Sequence, residues 1–316
     1  MKKLGLVFLL ACVVSVGAFA GGRQDGNVHI EVVSKGFLHE FWQNVYKGAQ
    51  EAAGELGITI NFVGPESEAF IDVQTDMFET ALARNPSAIA FAPLDAVAQA
   101  SLVARAAAQG IPVVTFDATV TPDTHVSSFV ATNSLAAGAE AASRMNDALG
   151  GRGGRVAIMA SDQTNTTQTQ RRDGFINAVR EKYPNIEIVT VVYAIDPVQA
   201  TDQATSVLIA NPNLAGFYAC NEGTAIGLAN ALKAQNRANS VVGIGFDSGR
   251  LQLAAIRDGT LHGSIQQNPV RIGRDAITMA YRAYRGETVP KVIDTGIVWA
   301  HAGNLDSPEV KAVIYQ

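Results

Sequence analysis

Short apolar runs alternate with amphipathic segments in the first part of the chain. Four runs are almost continuously apolar and predict strands over residues 28–33, 58–63, 88–92 and 111–116. Apolar residues at positions 41, 45, 49, 52 and 56 have helical spacing, and two more helices are predicted over residues 71–83 and 96–109. Because nearly continuous apolar strands alternate with helices, this pattern predicts a parallel sheet that is covered by helices on both faces.

The same alternation begins again after the glycine-rich stretch at residues 150–154. Strands are predicted over residues 156–160, 186–192, 216–219 and 241–246, and helices over residues 170–183, 198–210 and 224–235. The two series echo each other at an offset of roughly 126 to 130 residues, so that Gly48 matches Gly174 and Phe116-Asp117 matches Phe246-Asp247. Two similar doubly wound α/β units explain this repeat better than one very large sheet.

The first twenty residues have the pattern of an export signal. Two lysines precede an apolar stretch over residues 4–16, and the small residues Ala18 and Ala20 come just before a cleavage point at Gly21. We therefore predict a signal peptide over residues 1–20 and an exported protein that works in a periplasm-like space. Residues 9–12, with the sequence Leu-Leu-Ala-Cys, also resemble a lipobox that would leave Cys12 as a lipid-anchored terminus, so both kinds of processing stay open.

Composition and charge exclude several other classes of protein. With 316 residues, 47% of them apolar and 17% charged, the chain suits two folded cores and not a disordered segment. Its formal net charge of −5 argues against nucleic-acid binding, which needs a basic face. Two cysteines are too few for a disulfide framework, and the five histidines lack the spacing of metal ligands, so we predict neither a metal nor a cofactor. Beyond residue 30 no uncharged run reaches transmembrane length.

The glycine run at residues 150–154 precedes a predicted strand, whereas the phosphate-binding loop of a dehydrogenase follows one. The sequence also lacks the nucleotide-binding, nucleophile-elbow and zinc-protease motifs, so we predict a protein that is not an enzyme.

Polar and aromatic side chains gather where the predicted strands end. In the first half they are Ser34, Lys35, His39, Phe41, Trp42, residues 93–95 and Asp117. In the second half they are residues 161–171, which end at Arg171, together with Asn221, Glu222 and Asp247. Ligands of doubly wound sheets bind beyond the carboxyl ends of the strands. Carboxylates, amides and cations can pair with hydroxyl groups while an aromatic ring covers an apolar C–H face, so this set favours a sugar or polyol.

Five segments, in this order, resemble the periplasmic sugar-binding proteins of the ribose-binding type, which are the solute receptors of ABC importers. They are Phe41-Trp42 with the following Gly48-Ala49-Gln50, residues 111–117, residues 171–175, residues 220–222 and residues 242–247. The resemblance covers almost the whole chain after the leader. It implies the type I periplasmic binding protein fold, in which two doubly wound lobes joined by a three-strand hinge close on a ligand. It also implies a monomer that delivers a sugar or polyol to a membrane permease.

The resemblance implies roles for individual residues. Phe41 and Trp42 match the aromatic pair that stacks on the sugar, and Asp117 and Asp247 match the acids that accept hydrogen bonds from its hydroxyls. Arg171, Asn221 and Gln267 match the donors of the second lobe and hinge, and His39 matches a polar contact residue.

Two positions depart from the ribose-binding pattern. Ala118 stands where ribose-type members place an arginine, and Ile195 stands where they place another aromatic residue. Both departures argue against ribose itself.

A further strand is predicted over residues 262–267, and the helix predicted after it, over residues 270–284, has no counterpart in the first half. These two elements and the resemblance together give the domain boundaries. We predict lobe 1 over residues 27–131 and 268–294, and lobe 2 over residues 132–267 and 295–316. The chain then crosses between the lobes near Asn133, Gln267 and Asp294.

Structural roles compete with these functional ones. The aromatic pair can belong to the core, Asp117 and Asp247 can cap helices, Gln267 can belong to a turn before Asn268-Pro269, and Arg172 competes with Arg171 for the ligand. Among functions, a receptor for a nucleoside or a furanose-like signal stays open. An exported glycoside hydrolase that uses Asp117 and Asp247 is disfavoured, because acids on two moving lobes do not hold a catalytic separation.

Overall fold

The computed structural model describes residues 28–37 and 39–315, so the predicted leader and Cys12 lie outside the described residues. In chain order the strands are β1 His29–Val33, β2 Thr59–Val63, β3 Ala88–Phe91, β4 Val113–Phe116, β5 Val126–Ala131, β6 Gly154–Ala160, β7 Ile186–Tyr193, β8 Leu214–Ala219, β9 Val242–Phe246, β10 Gly263–Gln266, β11 Val292–Asp294 and β12 Val298–His301. The helices are α1 Glu40–Leu56, α2 Ile71–Ala83, α3 Ala100–Ala108, α4 Ser134–Ala148, α5 Thr166–Lys182, α6 Pro197–Ala210, α7 Glu222–Ala234, α8 Arg250–Arg257, α9 Pro269–Tyr284 and α10 Pro308–Lys311.

The strands form two sheets of six, each covered by helices on both faces. The first sheet has the order β11-β5-β4-β3-β1-β2, with α1 and α9 on one face and α2 and α3 on the other. The second has the order β12-β10-β9-β8-β6-β7, with α4 and α5 on one face and α6, α7 and α8 on the other. We call these units lobe 1 and lobe 2. The predicted α/β fold of two doubly wound units is confirmed, and the edge strand β12 departs from it by running antiparallel to β10.

The chain passes between the two sheets at three places, which lie after β5, after β10 and after β11. Two of these crossings touch each other. The hydroxyls of Thr132 and Thr295 are 3.3 Å apart, and the Asp294 Oδ1 atom accepts from the backbone N–H of Asn133 at 3.2 Å. These contacts join the crossings after β5 and after β11 to each other.

One matched pair of the internal repeat, Gly48 and Gly174, has a steric explanation. Gly48 lies where α1 meets α9, and a Cβ atom there would overlap the carbonyl oxygen of Val270. Gly174 lies where α5 meets α4, and a Cβ atom there would overlap the carbonyl oxygen of Leu135. Both glycines therefore allow a close helix crossing over the sheet, at equivalent places in the two lobes.

Some element boundaries differ from those predicted from the sequence. Strand β4 begins at Val113 instead of residue 111, next to Pro112, whose nitrogen has no hydrogen to donate to the ladder. Helix α3 begins at Ala100 instead of residue 96, because the Asp95 side chain accepts from the N–H groups of Val97 and Ala98 and holds a turn there. The elements β5, α4, α8, β11, β12 and α10 were not predicted. Along residues 28–37 and 39–315, no helix has the length and apolar character needed to cross a membrane.

Candidate functional site

All nine sequence-predicted side chains line one cavity between the lobes, at the carboxyl ends of both sheets. They are Lys35, His39, Phe41, Trp42 and Asp117 of lobe 1, Arg171, Asn221 and Asp247 of lobe 2, and Gln267 at a crossing. The space inside the lining is small, at about 20 Å³, and has room for a water molecule. The two lobes therefore lie close together around this space. We call this space the inter-lobe cavity.

The aromatic wall of the cavity is the first turn of α1. The rings of Phe41 and Trp42 meet edge to face, with centroids 4.9 Å apart, and both side chains are buried. The indole Nε1 of Trp42 donates to Glu68 Oε1 at 2.9 Å, so the buried ring keeps a polar partner and a fixed orientation.

A buried ion pair forms the floor of lobe 1. Lys35 Nζ donates to Asp117 Oδ2 at 2.6 Å, and both side chains are at most 6% exposed. Thr167 of lobe 2 reaches this pair, with its hydroxyl donating to the Asp117 carbonyl oxygen at 3.1 Å. Lys35 thus supplies a cation beside Asp117, where the ribose-type pattern places an arginine at the position of Ala118.

Arg171 of α5 lies in the cavity wall of lobe 2. Its guanidinium carbon is 3.7 Å from the centre of the Phe246 ring, and its NH1 group donates to the carbonyl oxygen of Cys220 at 3.0 Å. The neighbouring Arg172 instead pairs with the carboxylate of Asp173 at 2.7 Å and donates to the hydroxyl of Tyr193. Of the two arginines, it is Arg171 that lines the cavity.

Asp247 follows β9 and is almost completely buried. Its Oδ1 atom accepts from Gln267 Nε2 at 2.7 Å, and its Oδ2 atom accepts from the backbone N–H of Glu222 at 3.2 Å. Burial raises the pKa of the Asp247 carboxyl, against the opposing effects of nearby Arg171 and of the hydrogen bond from Gln267. Gln267 therefore faces the site and is not restricted to the turn before α9.

Asn221 has a structural role and also lines the cavity. Its Oδ1 atom accepts from the backbone N–H of Thr224 at 2.9 Å, which caps α7. The adjacent Cys220 is fully buried, and burial raises the pKa of its thiol to about 12, so this cysteine is a protonated, unreactive group behind the wall.

Several polar atoms of the wall have no hydrogen-bond partner within the described part of the chain. They are His39 Nε2, Arg171 Nε and NH2, and Gln267 Oε1. A buried polar group without a partner is unfavourable and uncommon, so a concentration of such atoms around one cavity indicates a place where a polar ligand binds.

Three lining residues were not singled out in the sequence, namely Glu68, Thr167 and Gln168. Glu68 lies in the loop after β2, so the rule that ligands bind at strand ends points to its loop. Thr167 and Gln168 belong to the first turn of α5, which begins at Thr166 and not at the predicted residue 170. Both residues lie within residues 161–171, the stretch that the sequence places at the end of a predicted strand.

Comparison with known proteins places this architecture in a family. Residues 30–288 match the periplasmic binding protein domain. The D-allose-binding periplasmic protein of Escherichia coli K12 is 31% identical over 290 residues, which are 89% of this chain and 91% of that protein. The ribose import binding protein RbsB of Bacillus subtilis 168 is 26% identical over 294 residues, with 92% and 93% covered.

A crystal structure gives the same assignment. The ABC transporter solute-binding protein from Agrobacterium vitis with bound D-fucose has a TM-score of 0.88 and is 35% identical, over 91% of this chain and 100% of that one. None of these three relatives is named for catalysis or for binding a nucleoside, so they lend no support to the alternatives left open by the sequence. The resemblance predicted from the motifs is confirmed, and the chain belongs to the periplasmic binding protein domain family, as a type I solute-binding protein of the ribose-binding type.

Proposed function

We propose that this protein is the exported receptor of an ABC importer, which binds a neutral monosaccharide or polyol in the inter-lobe cavity and delivers it to the membrane permease. The observation that carries the proposal is the enclosed cavity itself, where buried polar groups of both lobes converge beside two aromatic rings. The relatives support it, because D-allose, ribose and D-fucose are all uncharged sugars.

The charges of the cavity suit an uncharged ligand. Lys35 and Asp117 neutralise each other at 2.6 Å, and Asp247 faces the guanidinium of Arg171. A strongly anionic ligand requires an excess of donors, and a cation requires an aromatic cage with unopposed acids. A hydroxylated ring uses both kinds of group at once, because hydroxyls donate to carboxylates and accept from cations and amides.

We assign the following contacts to the ligand. Phe41 and Trp42 cover the C–H face of the ring, while Asp117 and Asp247 accept from its hydroxyls. Arg171, Asn221 and Gln267 donate to its oxygens, and Lys35, His39 and Glu68 complete the polar set. Because Ala118 stands where an arginine is expected and Ile195 stands where an aromatic residue is expected, we expect a preference for D-allose or D-fucose over D-ribose.

The mechanism is binding without chemistry. We propose that residues 27–131 with 268–294 and residues 132–267 with 295–316 move as two bodies about the three crossings. A ligand that touches both bodies stabilises the closed form, since only that form makes all of its contacts. The closed monomer then presents surfaces of both lobes together to the permease. Residues 1–20 direct export, and they are removed by cleavage after Ala20 unless the chain is instead lipidated at Cys12.

A thermal-shift screen tests the proposal, because a ligand that binds the folded state raises the melting temperature. The panel contains D-allose, D-fucose, D-ribose, myo-inositol, adenosine and L-glutamine. We expect the largest increase with a hexose, and small-angle scattering with that sugar should show a smaller radius of gyration. A large shift with adenosine or glutamine and none with any sugar contradicts the assignment. Hydrolysis of p-nitrophenyl glycosides by the purified protein contradicts the expectation that it is not an enzyme.

A further inference from the structure

Glu222 is a buried carboxylate that joins the two lobes outside the inter-lobe cavity. It is the first residue of α7 in lobe 2, and it is 3% exposed. Its Oε1 atom accepts from the backbone N–H of Glu40 at 3.0 Å, and its Oε2 atom accepts from the backbone N–H of Phe41 at 3.2 Å. Both donors belong to the first turn of α1 in lobe 1.

These bonds supply the cap that α1 lacks within its own lobe. The residue before the helix, His39, has the extended backbone of an N-cap, but its side chain makes no capping hydrogen bond. The first N–H groups of a helix have no partner inside the helix, and a carboxylate is the best acceptor for them. Lobe 2 therefore caps a helix of lobe 1, and this cap exists only while the lobes are together.

A third donor fixes the same carboxylate. The hydroxyl of Tyr315 donates to Glu222 Oε2 at 3.1 Å and accepts from the backbone N–H of Ser248 at 3.3 Å. The Tyr315 ring packs in the lobe 1 core that contains Phe41 and Trp42. The end of the chain thus holds Glu222 against the helix that carries the aromatic wall.

The surroundings of Glu222 make this contact different from an ordinary surface ion pair. A Cβ atom on Gly249 would lie 2.9 Å from the Glu222 carboxyl carbon, so the side chain is tightly enclosed. Burial raises its pKa, while His39 and the two backbone N–H groups act to lower it and Asp247 raises it further. An ionised carboxylate accepts from all three donors at once, which its amide counterpart does not.

A second contact between the lobes provides a comparison close by. Arg250 Nε of lobe 2 donates to Glu40 Oε1 at 3.0 Å, but the Arg250 side chain is 76% exposed. Such exposed pairs contribute little, because water and salt screen them.

We propose that Glu222 is a positioning residue that latches the closed form, by capping α1 across the cleft and so holding Phe41 and Trp42 in place without touching the sugar. This inference rests on the proposed sugar-binding function. A contact made only after closure slows release of the ligand and leaves its first encounter with the open protein unchanged.

The first experiment measures association and dissociation rates for D-allose in Glu222→Gln, Tyr315→Phe and Arg250→Ala. We expect the dissociation rate of Glu222→Gln to rise about tenfold or more, since its one remaining oxygen cannot serve three donors, with the association rate within about twofold of wild type. Tyr315→Phe should show a smaller rise, and Arg250→Ala almost none. A Glu222→Gln dissociation rate within twofold of wild type, or an effect confined to association, overturns the proposal.

A second measurement separates failure of the latch from failure of the proposed function. Spin labels at Val97→Cys and Val198→Cys, each 72% exposed and one on each lobe, report the distance between the lobes in a Cys12→Ser background. Cys220 is buried and stays unlabelled. Without sugar, Glu222→Gln should shift the distribution towards longer distances, whereas a distribution identical to wild type overturns the latch. Absence of D-allose binding by the wild type counts against the proposed ligand, and the sugar-free distances still decide the role of Glu222.

Discussion

Asp117 and Asp247 hold equivalent positions in the two lobes. Each follows a phenylalanine at the end of the fourth strand of its lobe, and each has a left-handed backbone, with φ of 59° and 74°. Their backbone N–H groups donate to the next strand, at 2.9 Å to Val130 and 2.8 Å to Ile265. Aspartate tolerates this conformation better than most residues do. The repeated turn therefore aims one carboxylate from each lobe into the inter-lobe cavity.

Replacing Asp247 by Asn should separate ligand binding from folding. Asparagine also tolerates the left-handed backbone, but it removes a charged acceptor from the cavity. We expect sugar affinity to fall by about ten- to a hundredfold, in line with a loss of about 1–3 kcal/mol. Titration calorimetry measures the affinity, and thermal melting should show little change. The exposed Asp123→Asn serves as the control, and an Asp247→Asn protein with unchanged affinity contradicts the assigned contact.

The sequence was sufficient to predict the features of the site that depend on the local pattern of residues. Strand ends and the repeated Phe-Asp pair led to Asp117 and Asp247 without any knowledge of the fold. The loop residue Glu68 was not identified, because its contact with Trp42 depends on how the loop folds back over α1. The bond from Glu222 to the first turn of α1 was equally invisible, since it joins residues 182 positions apart across two lobes.

Two of the elements that were not predicted have few large apolar residues or are very short. Helix α4 is rich in alanine, and its apolar face becomes recognisable only through its close contact with α5 at Gly138 and Gly174. Strand β11 has three residues and depends on β5 for its hydrogen bonds. In both cases the partner element, and not the local sequence, determines the structure.

The close crossing of α1 and α9 predicts opposite effects for two glycines of the same helix. In Gly48→Ala, the new methyl group overlaps the Val270 carbonyl oxygen, and we expect a loss of about 1–3 kcal/mol in the free energy of unfolding. In Gly54→Ala, nothing lies within 4 Å, and the lower flexibility of the unfolded chain should add about 0.5–1 kcal/mol. Urea denaturation of both variants checks the difference, and equal effects contradict the steric explanation.

The buried pair of Lys35 and Asp117 predicts strong coupling between two substitutions. Lys35→Met leaves the carboxylate of Asp117 buried without its cation, and we expect a loss of about 3–5 kcal/mol in unfolding free energy. Adding Asp117→Asn to that variant should restore much of the stability, because the unpaired charge is gone. A double-mutant cycle of unfolding free energies measures the coupling. If the losses in unfolding free energy from the two substitutions are additive, the ion pair as described is contradicted. We also expect both variants to bind sugar more weakly than the wild type does.

Stability should also depend on pH through His262, at the base of lobe 2 far from the cavity. Partial burial, and secondarily the nearby His301, lower the pKa of His262 below 6.5. Below pH 6.5 this histidine takes up a proton in the unfolded chain before it does so in the folded chain. Its contribution to the free energy of unfolding is therefore complete above that pH and declines as the pH falls towards the lowered pKa. We expect His262→Gln to flatten this decline in urea denaturation between about pH 7.5 and 5.5. His125→Gln, at an exposed position of lobe 1, is the control for the loss of a histidine as such. A His262→Gln profile parallel to that of the wild type would show that burial of this imidazole has no part in the pH dependence.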